Sequence, residues 1–324
     1  MRTIRWGIIG CGDVTEVKSG PALQKANNST LVAVMRRNGA LAQDYAQRHG
    51  VPKWYDDGAA LINDPDVDVV YVATPPVAHH EYTMMAAAAG KPIYVEKPMA
   101  MNMAQCQEML DACEVAQIPL WVAYYRRSLP RFMKIKALID QGAIGTIHAV
   151  NIQLLRQSLP HEQDAENRPW RLQPEIGGGG LFMDLAVHTL DFLDYALGPI
   201  QSVRGSAANQ AGHYEAEDIV TASFVFDSGV QATGLWCFNS FTYLDSSEII
   251  GDRGKITFST LGVEPVQLTT ADGVTEFDIA NPTHIQQPLV QSIVDELNGV
   301  GSSPSTGVSG MRTNWVAEQI FNHL

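Results

Sequence analysis

Asp184 and His188 stand four residues apart, just after the run Gly177-Gly178-Gly179-Gly180. On a helix that spacing puts both side chains on one face. A carboxylate so placed can orient the imidazole or hold a hydroxyl, while His188 exchanges a proton with an oxygen of a bound molecule. The alternative is a helix-stabilising Asp/His pair with a satisfied core histidine. The glycines favour chemistry, because small residues let a helix N-terminus come close to a ligand. A third candidate, Lys97, follows an apolar run in Val95-Glu96-Lys97-Pro98. An ammonium there can stabilise a developing alkoxide while a histidine relays the proton, and a reaction at a carbinol carbon needs both.

What would carry off the hydride is written near the N-terminus. The segment Gly10-Cys11-Gly12-Asp13-Val14-Thr15 follows a strand-like run and leads into a helix. Glycines in such a loop permit a tight turn and let the backbone approach a pyrophosphate, which the helix N–H groups then hold. Gly10, Gly12, Asp13 and Val14 are therefore expected at a dinucleotide. The third glycine position is filled by Thr15. About twenty residues on, where a carboxylate normally binds the adenosine ribose, the chain has Arg36-Arg37-Asn38. Two guanidinium groups suit a 2′-phosphate, so NADP(H) is favoured and NAD(H) remains possible. A solvated basic turn is the other reading of the pair.

The elements that must position these residues fall into two sets. Strand-like runs at residues 4–9, 31–35, 67–73, 93–96 and 120–123 alternate with helical stretches at 38–49, 78–89 and 103–116. That alternation predicts an α/β Rossmann domain with a doubly wound parallel sheet, placed at 1–123. From 124 to 324 the character changes. A helix at 130–140, a strand at 147–155 and the helix 181–197 precede alternating segments at 219–226, 229–238, 246–250 and 255–259, and helical periodicity returns at 284–298 and 307–323. This predicts an α+β domain with a large, mainly antiparallel open sheet.

Composition narrows the function. Across 324 residues, 45% are apolar and 18% charged, ordinary values for a globular protein of two domains. A net charge of −13 argues against nucleic acid, which demands clustered Lys and Arg. The four cysteines lack the paired spacing of a zinc site, and no His-Glu-x-x-His occurs, so no metal is expected. No window has the ~18 unbroken apolar residues of a membrane helix, and the apolar stretch after Arg5 is too short for a signal peptide, so a cytoplasmic protein is expected.

Ala73-Thr74-Pro75-Pro76-Val77-Ala78-His79, Gly90-Lys91-Pro92, Glu96-Lys97-Pro98 and Gly178-Gly179-Gly180-Leu181-Phe182-Met183-Asp184-Leu185-Ala186-Val187-His188 together resemble the Gfo/Idh/MocA oxidoreductases, the glucose–fructose oxidoreductase and inositol dehydrogenase family. The motifs occur in that family's order and span nearly the whole chain. The resemblance implies that Thr74, Pro75, His79, Glu96 and Lys97 line the cofactor, and that Lys97, Asp184 and His188 are catalytic. It also implies that Arg127 lies near the substrate, though Arg126 or a structural ion pair fits that place as well. Trp170 and Arg171 could stack on and hydrogen-bond a sugar ring, and a similar pair occurs in some members.

The implied activity is hydride transfer between nicotinamide and a secondary alcohol or carbonyl of a sugar, cyclitol or dihydrodiol-like small molecule. Two other readings of the fold are a dinucleotide-sensing regulator without turnover and an NAD-dependent glycosidase that oxidises its sugar transiently. Intact Lys97, Asp184 and His188 argue against the regulator. The open sheet is expected to join subunits in a homodimer or homotetramer.

Overall fold

The first sheet is built on short apolar strands whose faces are both covered. Its six strands are β1 (Ile4–Ile9), β2 (Ser29–Met35), β3 (Lys53–Tyr55), β4 (Val69–Val72), β5 (Ile93–Val95) and β6 (Leu120–Val122). They lie in the order β3-β2-β1-β4-β5-β6, and every pairing is parallel. All residues of β4, β5 and β6 are buried, as a sheet with helices on both faces requires. Among the connecting helices, Gly39–His49 and Met103–Val115 start at Asn38 and Asn102, whose side chains accept from Leu41 N at 3.3 Å and Gln105 N at 3.0 Å. Winding reverses between β1 and β4, which places the ligand crevice of such a fold outside the carboxyl ends of these strands.

The second sheet has eight strands: β7 (Ile147–Leu155), β8 (Ile200–Ala208), β9 (Ile219–Phe226), β10 (Gln231–Cys237), β11 (Leu244–Gly251), β12 (Gly254–Phe258), β13 (Val266–Thr270) and β14 (Gly273–Phe277). Their order is β14-β13-β12-β11-β7-β10-β9-β8, antiparallel except where β10 meets β7. Burial alternates along β9 and β10, leaving one face apolar and the other open. The inner face meets the helix Val187–Leu197, with Phe192 edge-on to Phe258 at 5.7 Å and to Phe132 at 4.8 Å.

This computed structural model describes residues 1–321. The chain divides into one unit of Met1–Leu129 with Pro282–Met311, and a second of Pro130–Asn281 with the chain from Arg312 onward. Sequence had placed all of 124–324 in the second domain. The structure instead returns 282–311 to the first unit, because that stretch bonds β5 and β6. Gln286 joins Tyr94 and Glu96, Glu296 accepts from the Trp121 indole at 3.2 Å, and the Ser305 hydroxyl donates to Val122 O at 2.6 Å. The last helix runs Gly307–Phe321, and residues 322 and 323, expected to continue it, lie outside the described residues.

Candidate functional site

Because the first sheet is parallel, every loop that follows a strand of it emerges at the same edge. Gly10 N and Cys11 N donate to Met35 O, Ala73 N to Ile9 O, Glu96 N to Val72 O and Ala123 N to Val95 O, which zips the loops together where the strands end. Gly10 sits at φ +89°, and a Cβ there would fall 2.8 Å from Thr74 Cγ2 and 2.9 Å from Thr74 N, so glycine is required on two counts. Gly12 caps the short helix Asp13–Val17 in an extended conformation. A Cβ at Gly12 would meet nothing nearer than Gly10 O at 3.9 Å, so the space before its peptide is open to a bound phosphate. Thr15, in the third fingerprint position, is buried and donates its hydroxyl to Gly12 O at 2.7 Å, closing the turn from within. Asp13 is exposed and Val14 half-buried beside that space.

Arg36 and Arg37 follow β2 and are both exposed. Asn38 accepts from Leu41 N, so its carbonyl oxygen already serves the helix.

His79, expected beside the cofactor, is buried. Its ring is 0% exposed and bridges Pro98 O (Nδ1, 2.9 Å) and Thr74 O (Nε2, 2.8 Å), so it braces the Thr74-Pro75 turn against the Lys97-Pro98 turn. Burial pulls its pKa below the ordinary value, and the two carbonyls oppose that pull. Glu96, likewise expected at the cofactor, is buried as well. Its carboxylate points inward, accepting at Oε1 from the Tyr71 hydroxyl (2.5 Å) and the Gln286 amide (2.7 Å), and at Oε2 from Lys97 N (3.3 Å). Burial raises the Tyr71 hydroxyl well above its ordinary pKa, so it stays a donor. Lys97 itself is half-buried, two residues beyond the end of β5. Thr74 and Pro75 are half-buried on the neighbouring loop.

Arg127 is 2% exposed and donates to Pro304 O at 3.0 Å, which ties this guanidinium to the returning segment. Arg126, also buried, lies over the Tyr125 ring at 5.0 Å.

The second unit gathers the other candidates around the glycine run. Asp184 and His188 do not share an uninterrupted α-helix. The helix opens with a π-turn, Phe182–Ala186, and continues as Val187–Leu197, so Asp184 rides on the widened turn and His188 on the first α-turn. Such turns recur at functional sites because they re-aim side chains. Phe182 anchors the turn, edge-on to Trp236 of β10 at 5.0 Å. Arg171 Nε lies 3.3 Å from Asp184 Oδ2, with its guanidinium 4.4 Å from the Trp170 ring. Trp170, Arg171 and Asp184 are half-buried and His188 is 5% exposed. The unit therefore holds an aromatic ring, a guanidinium and a carboxylate in one chain of contacts, with the His188 imidazole carried on the helical turn that follows. Such a set can bind hydroxyl groups and move a proton.

Sequence reasoning missed Tyr71, Tyr94, Gln286 and Glu217, the last of which accepts from Gly180 N at 2.9 Å. No local pattern marks them, since each acquires its role from a partner distant in sequence. Among the described residues, no cluster of three or more His, Cys, Asp or Glu side chains is placed to hold a metal ion, and no helix is long and apolar enough to cross a membrane.

Residues 4–124 match the model of an oxidoreductase family with an NAD-binding Rossmann fold, and residues 132–257 match the GFO/IDH/MocA C-terminal domain. The chain belongs to the GFO/IDH/MocA oxidoreductase family. Among relatives in this family, Oxidoreductase P35 of Formosa agariphila is 38% identical over 303 residues, covering 93% of each chain. The 1,5-anhydro-D-fructose reductase of Ensifer adhaerens is 28% identical over 313 residues, 95% of this chain and 92% of that one. The aldose-aldose oxidoreductase of Caulobacter crescentus, solved with glycerol, shares the fold at a TM-score of 0.85 and 24% identity, over 99% of this chain and 97% of that one. The first unit is thus an NAD-binding domain, and the chain is an enzyme of the NAD(P)-dependent oxidoreductase type.

Proposed function

We propose that this oxidoreductase prefers NADP(H) and interconverts a secondary alcohol and a carbonyl on a polyhydroxylated small molecule, a sugar, cyclitol or dihydrodiol. The observation that carries the reading is the chain of contacts Trp170–Arg171–Asp184 on a widened helical turn that also leads to His188. The likeness to a sugar-ketone reductase over nearly the whole chain supports the substrate class.

Gly10, Gly12, Asp13 and Val14 would hold the pyrophosphate, Arg36 and Arg37 the adenosine end, and Thr74, Pro75 and Lys97 the nicotinamide half. When bound, the dinucleotide supplies or accepts the hydride. Lys97 places positive charge near the oxygen that gains negative charge as a carbonyl is reduced. His188 gives that oxygen its proton, or removes it in the oxidative direction. Asp184, shared with Arg171, orients this group or binds a neighbouring hydroxyl. Trp170 offers a ring face and Arg127 a second cation near the substrate.

The open face of the second sheet carries Asn151, Gln153, Thr233, Leu235, Ser246 and Glu248 around a shallow hollow. We place the contact of a homodimer or homotetramer there, and a monomer in sedimentation at micromolar concentration would refute it. The four free thiols fit a reducing cytoplasm.

The decisive experiment offers sugars, cyclitols and dihydrodiols with NAD⁺ and NADP⁺, and their ketones with the reduced cofactors. Net nicotinamide turnover on at least one is expected. Glycoside cleavage without net nicotinamide change, or cofactor binding with no turnover, would overturn the reading.

A further inference from the structure

The glycine run is flanked on two sides. At Gly177 a Cβ would fall 3.3 Å from Trp170 O and 3.5 Å from Arg171 O, while at Gly180 one would fall 2.7 Å from Ala216 Cβ and 3.1 Å from Glu217 Oε1. A side chain is thus crowded at Gly177 and excluded at Gly180, where two segments close in, one carrying Arg171 to Asp184 and the other carrying Glu217.

Glu217 is half-buried and receives few hydrogen bonds from the protein. A carboxylate offers about four acceptor positions, yet among the described residues Gly180 N–H is the one donor from another residue that reaches it. No cation pairs with it there. Burial pushes its carboxyl above the ordinary range, the response expected of a desolvated acid with too few donors. Its backbone is fixed, because the next residue, Asp218, accepts from Gln210 N, Ala211 N and the Asn239 amide. Asp184 N–H in turn donates to Gly180 O at 3.3 Å, so Gly180 links Glu217 to the turn that carries Asp184.

We propose that Glu217 is a substrate ligand that accepts hydrogen bonds from hydroxyl groups and sets a preference for a vicinal diol over a lone hydroxyl. This rests on the reading of Asp184 and His188 as the substrate site. The remaining lone pairs of Glu217 are matched by neutral O–H donors of a bound polyol, and such charge-assisted bonds exceed neutral ones in strength. Arg171 already shares its charge with Asp184, so the two carboxylates bind neighbouring hydroxyls without a second cation.

The test compares wild type, Glu217→Gln, Glu217→Ala and His188→Ala as NADP⁺-saturated full chains. Binding of glucose, myo-inositol and trans-1,2-cyclohexanediol, against cyclohexanol, is followed by saturation-transfer NMR, and KM and kcat are measured on every compound that turns over. Glu217→Gln keeps an oxygen for Gly180 N–H and so controls for folding, which the melting temperature checks. The expected result is a tenfold or greater weakening of diol binding or rise in KM for both Glu217 variants, a smaller fall in kcat, and little change for cyclohexanol or NADP⁺. Diol affinity within twofold of wild type in Glu217→Gln and Glu217→Ala would overturn the proposal, as would a wild type that binds none of the polyols. If His188→Ala keeps its kcat while the Glu217 variants lose diol affinity, the catalytic assignment fails and this one stands.

Discussion

The side-chain amide of Gln286 donates to Oε1 of Glu96 at 2.7 Å, across 190 residues of chain. The same Gln286 accepts from the Tyr94 hydroxyl at 2.8 Å, so it serves two buried groups at once. Gln286→Ala strands the Tyr94 hydroxyl and removes one donor from Glu96 in a buried site. A loss of about 2–4 kcal/mol in urea unfolding is expected, since each buried unsatisfied polar group costs roughly 1–3 kcal/mol. A loss below about 1 kcal/mol would mean that the site relaxes or admits water.

Lys97→Met and His188→Ala should each lower kcat by at least about a hundredfold, the usual scale for losing a proton-transfer or charge-stabilising group. Cofactor dissociation constants, read by fluorescence, should change little. Asp184→Asn separates two roles: a mild effect means that the carboxylate only orients its neighbours, and a severe one that it governs the charge of His188. Near-wild-type kcat in either of the first two variants removes that residue from the mechanism.

Arg36→Asp should abolish preference for NADP(H), by repelling the 2′-phosphate and offering the ribose of NAD(H) an acceptor. The wild-type preference should be ten- to several-hundredfold in kcat/KM, about what one or two charge-assisted hydrogen bonds of roughly 1.5–3 kcal/mol provide at an exposed site. Equal use of NAD(H) by the wild type would refute the assignment and leave the family membership untouched.

Glu16 provides a pH signature. The Arg48 guanidinium, bonded at 2.8 Å, and His49, at 2.7 Å, hold its carboxyl at about 2. A carboxylate depressed in the folded state stabilises above its unfolded pKa near 4.5 and loses that stabilisation as pH falls toward 2. The side chains are 34% and 47% exposed, so solvent holds the gain under about 1 kcal/mol. The stability gap between wild type and Glu16→Gln should therefore be small at pH 7 and close between pH 4.5 and 2. A gap that widens on acidification would contradict it.

Much of this was legible because it is local. Gly10 and Gly12 announce themselves by their place between a strand and a helix, and Lys97 by its place after β5. Strand β8 was missed because Ile200, Val203 and Ala207 are its only buried residues and a register shift near Ser202 breaks the alternation. Strand β14 was missed because it buries almost nothing. His79 and Glu96 were recognised as motif members, but the motif could not say that their side chains turn inward. That depends on Pro98 O, Tyr71 and Gln286, whose proximity only the fold creates. The π-turn under Asp184 has no sequence signal of its own.

The return of Pro282–Met311 to the first unit also constrains how the protein is made. A ribosome releases Tyr94 and Glu96 long before Gln286, and residues 130–281 must be synthesised in between, on the order of ten to thirty seconds at ordinary elongation rates. During that interval the N-terminal sheet has a buried carboxylate position without its amide partner and an indole of Trp121 without Glu296. The nascent sheet is thus exposed to chaperones and proteases, and its neighbour waits longer still for Arg312, the partner of Asp194. Fragments ending near residue 129 should inherit the same defect permanently, so neither half of the enzyme is a natural unit for truncation or domain exchange.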